Sequence, residues 1–319
     1  MASTAQHLAV ALRTNVNIFH YEGNDLKEFL LGAIACDAPK LKPKTAENKD
    51  NKDNKVETKE VSELEKFTSQ MRKAGRNHSH FLPGSIIKEN QSKFISPEIT
   101  MEYGYQPVDD RPESKVDYNQ FSPMIDYFYS KYESKMDEPF MKGYLTHLLT
   151  DKVYFTEVVP TIVNENKNEI KDYINEKYNK FGYKKKDYLT NAEYLDWSHD
   201  ALYRIFDDYN YLSLIETKDV FPDLSDLADY LETWEKTDRS FKPSMVEDLN
   251  GSEAISSFLR KQPASSLISD AKNQLEKGII NRKNLSFNGM WPYKLYLDFG
   301  ETVEEETKDY INLNNKKVK

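Results

Sequence analysis

Between Glu138 and Val159 the chain reads EPFMKGYLTHLLTDKVYFTEVV, a stretch whose apolar residues crowd most of the circumference of a helix. A helix that is apolar nearly all round has no face to give to water, so it belongs at the centre of a bundle. That requirement sets the fold class: a mainly α, compact multi-helix bundle around one central buried helix. Gly143, inside this helix, costs roughly 1 kcal/mol relative to alanine, which points to close packing at that position.

The surrounding segments read as helices of ordinary length. Ser3-x-x-Gln6 is a capping box ahead of Leu8, Val10, Ala11 and Leu12. A second apolar segment runs from Leu26 to Cys36, opened by Asp25 and stopped at Asp37 with Pro39 beyond. Ser122-Pro123 opens a helix through Tyr132 to about Met136. Short helical character is expected near Glu63–Arg72, and two further helices over 162–181 and 190–212, the second capped by Thr190-x-x-Glu193. Residues 40–60 are almost wholly Lys, Asp, Glu, Asn and Thr and read as a mobile polar loop. The Pro-, Gly- and Asp-bearing stretch from Pro97 to Asn119 reads as irregular. Near the C-terminus YKLYLDF (293–299) has partial period-two character, so a minor β element is expected there.

Whole-chain numbers narrow the classes. The 319 residues include 21 Tyr and 16 Phe, too many aromatics for general disorder. A net charge of −9 argues against indiscriminate phosphate-backbone binding. Cys36 is the only cysteine, so neither an internal disulfide nor a thiolate cluster is open to a single chain. The start, MASTAQHLAVALRTNVNIF, lacks a basic n-region and an unbroken apolar core, and no stretch approaches the ~18 apolar residues of a spanning helix. A cytoplasmic protein without a transmembrane segment is the expectation. The sequence carries no signal of oligomeric state.

The chemistry-bearing residues are histidines and carboxylates. His147-x-x-x-Asp151 places both side chains on one helical face, within reach of one ion. A buried His bonded to an Asp one turn away is common as plain structure. Here the pair sits on an apolar helix, where an ionised carboxylate needs compensation that a divalent cation would supply. Glu157, six residues on, could reach the same end. Asp37 follows an apolar helix at its C-terminal end, where the dipole disfavours an anion. It is either a turn residue before Pro39 or a metal ligand or general base. His78 and His80 would face the same way if their segment is extended. His7 lies near the start of the first helix, and His199 shares a face with Asp207.

Taken together these fragments resemble the zinc-dependent phospholipase C family, in particular its short bacterial members. STAQHLAVA near the start, FLLGAIACDA at 29–38, SHFLPGSI at 79–86, DEPFMKGYLTHLLTD at 137–151 and the fainter DDYNYLS at 207–213 follow the family's order. The family is similar in fold to zinc-dependent single-strand nucleases. The resemblance implies metal ligation by His7, Asp37, His78, His80, His147, Asp151 and His199, with Asp37 beside the reactive water as candidate general base. Glu157 stands where the family has a further histidine, and no later His-x-x-x-Glu pair follows, because Tyr203 lies four residues after His199. One or two zinc ions, or another divalent metal, are therefore implied rather than three.

On this reading residues 1–215 form a helical, phospholipase C-like metal-binding domain and 216–319 a C-terminal helical extension of unassigned role. The implied activity is metal-dependent hydrolysis of a phosphoester small molecule or lipid head group by an activated water. A single-strand nuclease of the related fold and a non-catalytic metal-binding or interaction protein are the alternatives, with nucleic acid ranked behind the phosphoester.

Overall fold

The computed structural model describes residues 3–41, 78–82, 122–161, 259–262, 264–281 and 293–317, together with the single helical positions Asp172 and Glu176. The described chain is mainly α. Its helices are α1 (Thr4–Thr14), α2 (Gly23–Ala35), α3 (Ile125–Lys131), α4 (Pro139–Val153), α5 (Ala264–Asn281) and α6 (Tyr293–Lys317). π-helical turns continue α1 over Asn15–Phe19 and α4 over Tyr154–Val158. Among the described residues no helix is long and apolar enough to cross a membrane.

The expected capping box forms: Ser3 Oγ accepts from Gln6 N at 3.3 Å while Gln6 Oε1 accepts from Ser3 N at 2.7 Å. Every residue of α1 but Arg13 is buried. The helix is reversed by Asn15, whose amide pairs with both backbone groups of Tyr21 (2.8 and 3.1 Å). α2 starts at Gly23, ahead of the expected opening at Asp25, and Asp25 lies inside the first turn, where a carboxylate still suits the dipole. The helix expected from Ser122-Pro123 begins at Ile125 and breaks at Tyr132, followed by a short 3-10 turn over Glu133–Lys135. Its start is set from outside, because Met124 N donates to the Phe81 carbonyl at 2.8 Å.

α4 is the central buried helix that its composition demands. Only Pro139, Lys142 and Lys152 escape burial in it. The buried threonines satisfy their hydroxyls inside the helix: Thr146 donates to Lys142 O (2.9 Å) and Thr150 to Thr146 O (2.7 Å). α2 crosses α4 with backbone against backbone. A Cβ on Gly32 would collide with the Phe140 carbonyl, and one on Gly143 with the Phe29 carbonyl. The two glycines thus face each other's helices reciprocally, and the close packing expected at Gly143 is present.

Pro39–Leu41 (β1) pairs antiparallel with Leu259–Lys261 (β2) in a two-stranded ribbon, Pro39 opposite Lys261. The first residues of the polar 40–60 segment therefore join a strand. Residues 42–60, and the expectations over 63–72, 97–119 and 190–212, lie outside the described residues, as does all of 162–181 except Asp172 and Glu176. The expected strand at 293–299 is instead the first two turns of α6. Phe299, Val303 and Thr307 are buried at helical spacing, and an alternating run this short cannot be told from one helical face by periodicity alone. α5 buries Ala264, Leu267, Ile268 and Ala271, and these residues with Phe299 and Val303 share one hydrophobic core with α1, α2 and α4. The described part of the C-terminal hundred residues thus packs onto the helices that carry the histidines.

Candidate metal centre

Four segments deliver side chains to one buried point: His7 from α1, Asp37 from the turn after α2, His80 from the 78–81 turn, and His147 with Asp151 from α4. Asp37 is held by that turn (its N–H donates to Ile34 O at 3.2 Å) and by the ribbon beyond, where Gln262 N donates to Ala38 O at 2.7 Å. The segment at 78–81 is a helical turn closed by Phe81 N donating to His78 O at 3.2 Å, not an extended strand. Side chains two apart on such a turn diverge. His80 enters the cluster, and His78, also buried, belongs to neither ligand group.

The polar atoms stand close but beyond hydrogen-bond length. His7 Nε2 lies 3.5 Å from Asp151 Oδ1, and His80 Nε2 lies 3.5 Å from Asp37 Oδ1 and 3.7 Å from Asp151 Oδ2. His147 Nε2 lies 3.8 Å from Asp151 Oδ2 and 3.4 Å from His80 Nε2. The His7 and His147 rings stack at 3.6 Å between centroids. Ligand atoms of His7, Asp37 and His147 fall within 4.8 Å of one another, as do those of His80, His147 and Asp151.

The other ring nitrogens decide what the inner ones present. His147 Nδ1 lies 2.7 Å from the Ala33 carbonyl, which can only accept, so Nδ1 carries the proton. The close α2–α4 crossing makes this bond, because Ala33 follows Gly32 and His147 sits one turn beyond Gly143. Ser79 Oγ donates to the Cys36 carbonyl at 2.9 Å and lies 2.9 Å from His80 Nδ1. With its one hydrogen committed, the hydroxyl accepts from Nδ1–H. In its neutral form His80, like His147, then presents an Nε2 lone pair, and the two Nε2 atoms face each other at 3.4 Å.

Electrostatics point the same way. Burial holds the His147 imidazole down to about 3, with the neighbouring His7 adding to the effect and the two carboxylates opposing it, so the ring is neutral near pH 7. Burial alone would raise Asp37, but the neighbouring imidazoles of His80, His147 and His7 outweigh it and hold the carboxyl well below the usual carboxylate range. Burial is likewise outweighed at Asp151 by His7, His147 and His80, and its carboxyl is held lower still. Among the described residues every ion-pair partner of these two carboxylates is a histidine.

One buried carboxylate (Asp151), one partly exposed carboxylate (Asp37) and imidazole nitrogens 3.4 Å apart fit a divalent cation. Donors at about 2.0–2.2 Å from a zinc-like ion stand about 3.3–3.6 Å from one another in a tetrahedron. Three of the separations (3.4, 3.5 and 3.5 Å) match those edges, two (3.7 and 3.8 Å) lie just above them, and all are too long for good hydrogen bonds. His7 adds to the fit, since among the described residues neither of its buried ring nitrogens has a hydrogen-bond partner. Nitrogen and oxygen donors suit zinc and comparable borderline ions without selecting one.

Glu157 is not brought in. It is exposed on the π-helical turn, its carboxyl raised by partial burial and by Glu306, and it belongs to neither ligand group. His199 and its neighbour Asp207 lie outside the described residues. Sequence reasoning missed Gly32, Cys36, Ser79 and Tyr144 as contributors. The available signal was adjacency, since Cys36 and Ser79 directly precede Asp37 and His80. No family model matches this chain, and no characterised protein and no solved structure matches it significantly.

Proposed function

We propose that the protein is a metal-dependent hydrolase acting on phosphoesters, of the kind implied by its resemblance to zinc-dependent phospholipase C. One observation carries the reading: the Nε2 atoms of His80 and His147 face each other at 3.4 Å beside the carboxylates of Asp37 and Asp151. His7, Asp37, His80, His147 and Asp151 would hold one or two ions, zinc foremost. A divalent cation held there supplies Lewis acidity toward a phosphoryl oxygen and a water of lowered pKa.

The chain's own residues divide the remaining work. Asp151 is sealed, its side chain 2% exposed, and suits a holding role on the inner side. Asp37 is 14% exposed, the most open of the five, and suits orientation and deprotonation of water on the substrate side. A small phosphoester or a lipid head group is the substrate class, and the net charge of −9 ranks nucleic acid behind it. A cytoplasmic setting accompanies the reading, in keeping with a chain that has a single cysteine.

The test is Asp37→Asn, which keeps size and one acceptor while removing charge and basicity. Activity on a soluble phosphodiester is expected to fall by about 10²–10⁴ with metal content largely retained. Joint loss of metal and activity, partly restored by added zinc, would make Asp37 chiefly a ligand. Unchanged metal and unchanged activity would end the enzymatic reading.

A further inference from the structure

Behind the ligands lies a second buried layer. Cys36, Ser79 and Tyr144 are each fully buried, and each sits one or three residues before a candidate ligand (Asp37, His80, His147). They bond to one another. The Tyr144 hydroxyl donates to the Ser79 carbonyl and lies within hydrogen-bonding reach of the Cys36 thiol. The Ser79 hydroxyl donates to the Cys36 carbonyl.

Only one of these contacts reaches a ligand's ring. A neutral imidazole can carry its proton on either nitrogen, and the bond made by one nitrogen selects which face of the ring is a donor lone pair. At His147 a backbone carbonyl makes that choice. At His80 a side chain makes it: Ser79 Oγ, 2.9 Å from Nδ1. Were the hydroxyl hydrogen directed at Nδ1 instead, two oxygen lone pairs would face each other 2.9 Å apart at the Cys36 carbonyl. The relay Nδ1–H to Oγ–H to the carbonyl oxygen is the arrangement that satisfies all three groups.

We propose that Ser79 is a positioning residue that fixes the Nδ1-protonated tautomer of His80 and thereby presents Nε2 as a metal ligand. This rests on the metal-binding reading above. A merely structural Ser79 would hold the Cys36 carbonyl at the C-cap of α2 and leave the tautomer indifferent to its hydroxyl. The two roles separate experimentally.

The test uses the full chain, with Co²⁺ as the probe and long-range ¹H–¹⁵N correlation spectra of the metal-free protein to read the His80 tautomer. Wild type is expected to show one tautomer, with the proton on Nδ1. Ser79→Ala is expected to show a mixture and to weaken Co²⁺ binding by about 10–100-fold, the usual range for losing a partner behind a ligating histidine. Ser79→Thr, which keeps the hydroxyl, should restore the single tautomer and most of the affinity. Tyr144→Phe removes a bond to the same residue's backbone but leaves the relay intact, so its tautomer and affinity should stay near wild type. Should Ser79→Ala fail to fold, Ser79→Cys, close in size and a poor acceptor, carries the same expectations. A wild-type tautomer and affinity in Ser79→Ala, or an equal loss in Tyr144→Phe, would overturn the proposal. Absence of Co²⁺ binding by wild type would instead overturn the metal reading, and the proposal about a ligand with it, whatever the tautomer measurement gives.

Discussion

Two of the contacts that hold α4 in place are built on opposite plans. Against α2 the contact is backbone on backbone, with Gly32 and Gly143 each leaving no room for a Cβ. Against α6 no such glycine pair is present among the described residues: Phe299 and Val303 pack into the shared core, and the ends of long side chains meet at the rim, as in Lys152 Nζ to Glu306 Oε1 at 2.8 Å. The same plan holds α6 to α1, where Glu304 Oε1 accepts from Arg13 Nε at 2.5 Å and from Asn17 Nδ2 at 2.9 Å. Long side chains absorb small displacements and glycine contacts do not. The rigid contact sits beside the candidate ligands of α2 and α4, where tenths of an ångström decide whether donors reach one ion. The tolerant contact serves a helix that contributes no ligand to either group.

If that contrast is right, Gly143→Ala should do the most damage of any single methyl group in the described protein. A loss of about 3 kcal/mol or more is expected, because backbone must move on both helices. Gly32→Ala should cost a similar amount, and thermal melts of the two variants check both. A loss under about 1 kcal/mol at either site would break the comparison, since ordinary overpacking already costs about that much.

Metal loading comes next. Zinc at about 100–1,000 times its dissociation constant should stabilise the fold by about 3–4 kcal/mol, read as a rise in melting temperature that chelator abolishes. Asp151→Ala and His147→Ala should remove at least one ion by elemental analysis and most of this rise, whereas Glu157→Gln should change neither. Retained metal in both alanine variants would show that the cluster is ordinary buried structure.

Acid should separate the two plans further. His147 is held from its usual 6.5 down to about 3 in the fold, so below pH 6.5 the unfolded chain takes up a proton that the folded chain refuses. The depressed carboxylates of Asp37 and Asp151 act in the same direction at lower pH. Stability of the metal-free protein should therefore fall steadily as pH drops from about 6.5 toward 3. Pre-loading with zinc should delay the fall, and urea titrations across that range measure both. A profile flat to pH 4 would contradict the burial argument.

The tolerant contact should give the smallest effects. Glu304→Ala should cost about 1–2 kcal/mol, since it strips partners from Arg13 and Asn17. Lys152→Met should cost less than about 1 kcal/mol, as expected for a half-exposed ion pair. Neither should alter metal content.

What the sequence made legible was local. Ser3 and Gln6 announce a cap, the apolar girth of 139–153 announces a buried helix, and the spacing of His147 and Asp151 puts both on one face. Gly143 signalled a close approach but not to what, because Gly32 is an ordinary small residue until the helices are brought together. The bonds that orient the imidazoles were hidden for a different reason. One ends on the Ala33 carbonyl and the other passes through Ser79 to the Cys36 carbonyl, and every residue has a carbonyl. The pairing of Pro39 with Lys261 leaves no local trace in either segment. At 293–299 the signal was present but degenerate, since four alternating apolar positions also fit a helix.

The seating of α1 bears on how the protein is made. Ala5 N donates to Gln274 Oε1, 269 positions along the chain, and Arg13 reaches Glu304 across 291. α1 thus waits for α5 and α6, and contacts of such span are slow to form. α2 and α4 are separated by a shorter stretch of sequence, so they can meet earlier and bring Asp37, His147 and Asp151 together while α5 and α6 are still being synthesised. His7 is then the late arrival, and a nascent chain stalled before residue 264 would carry an unfinished centre with its α1 side uncovered.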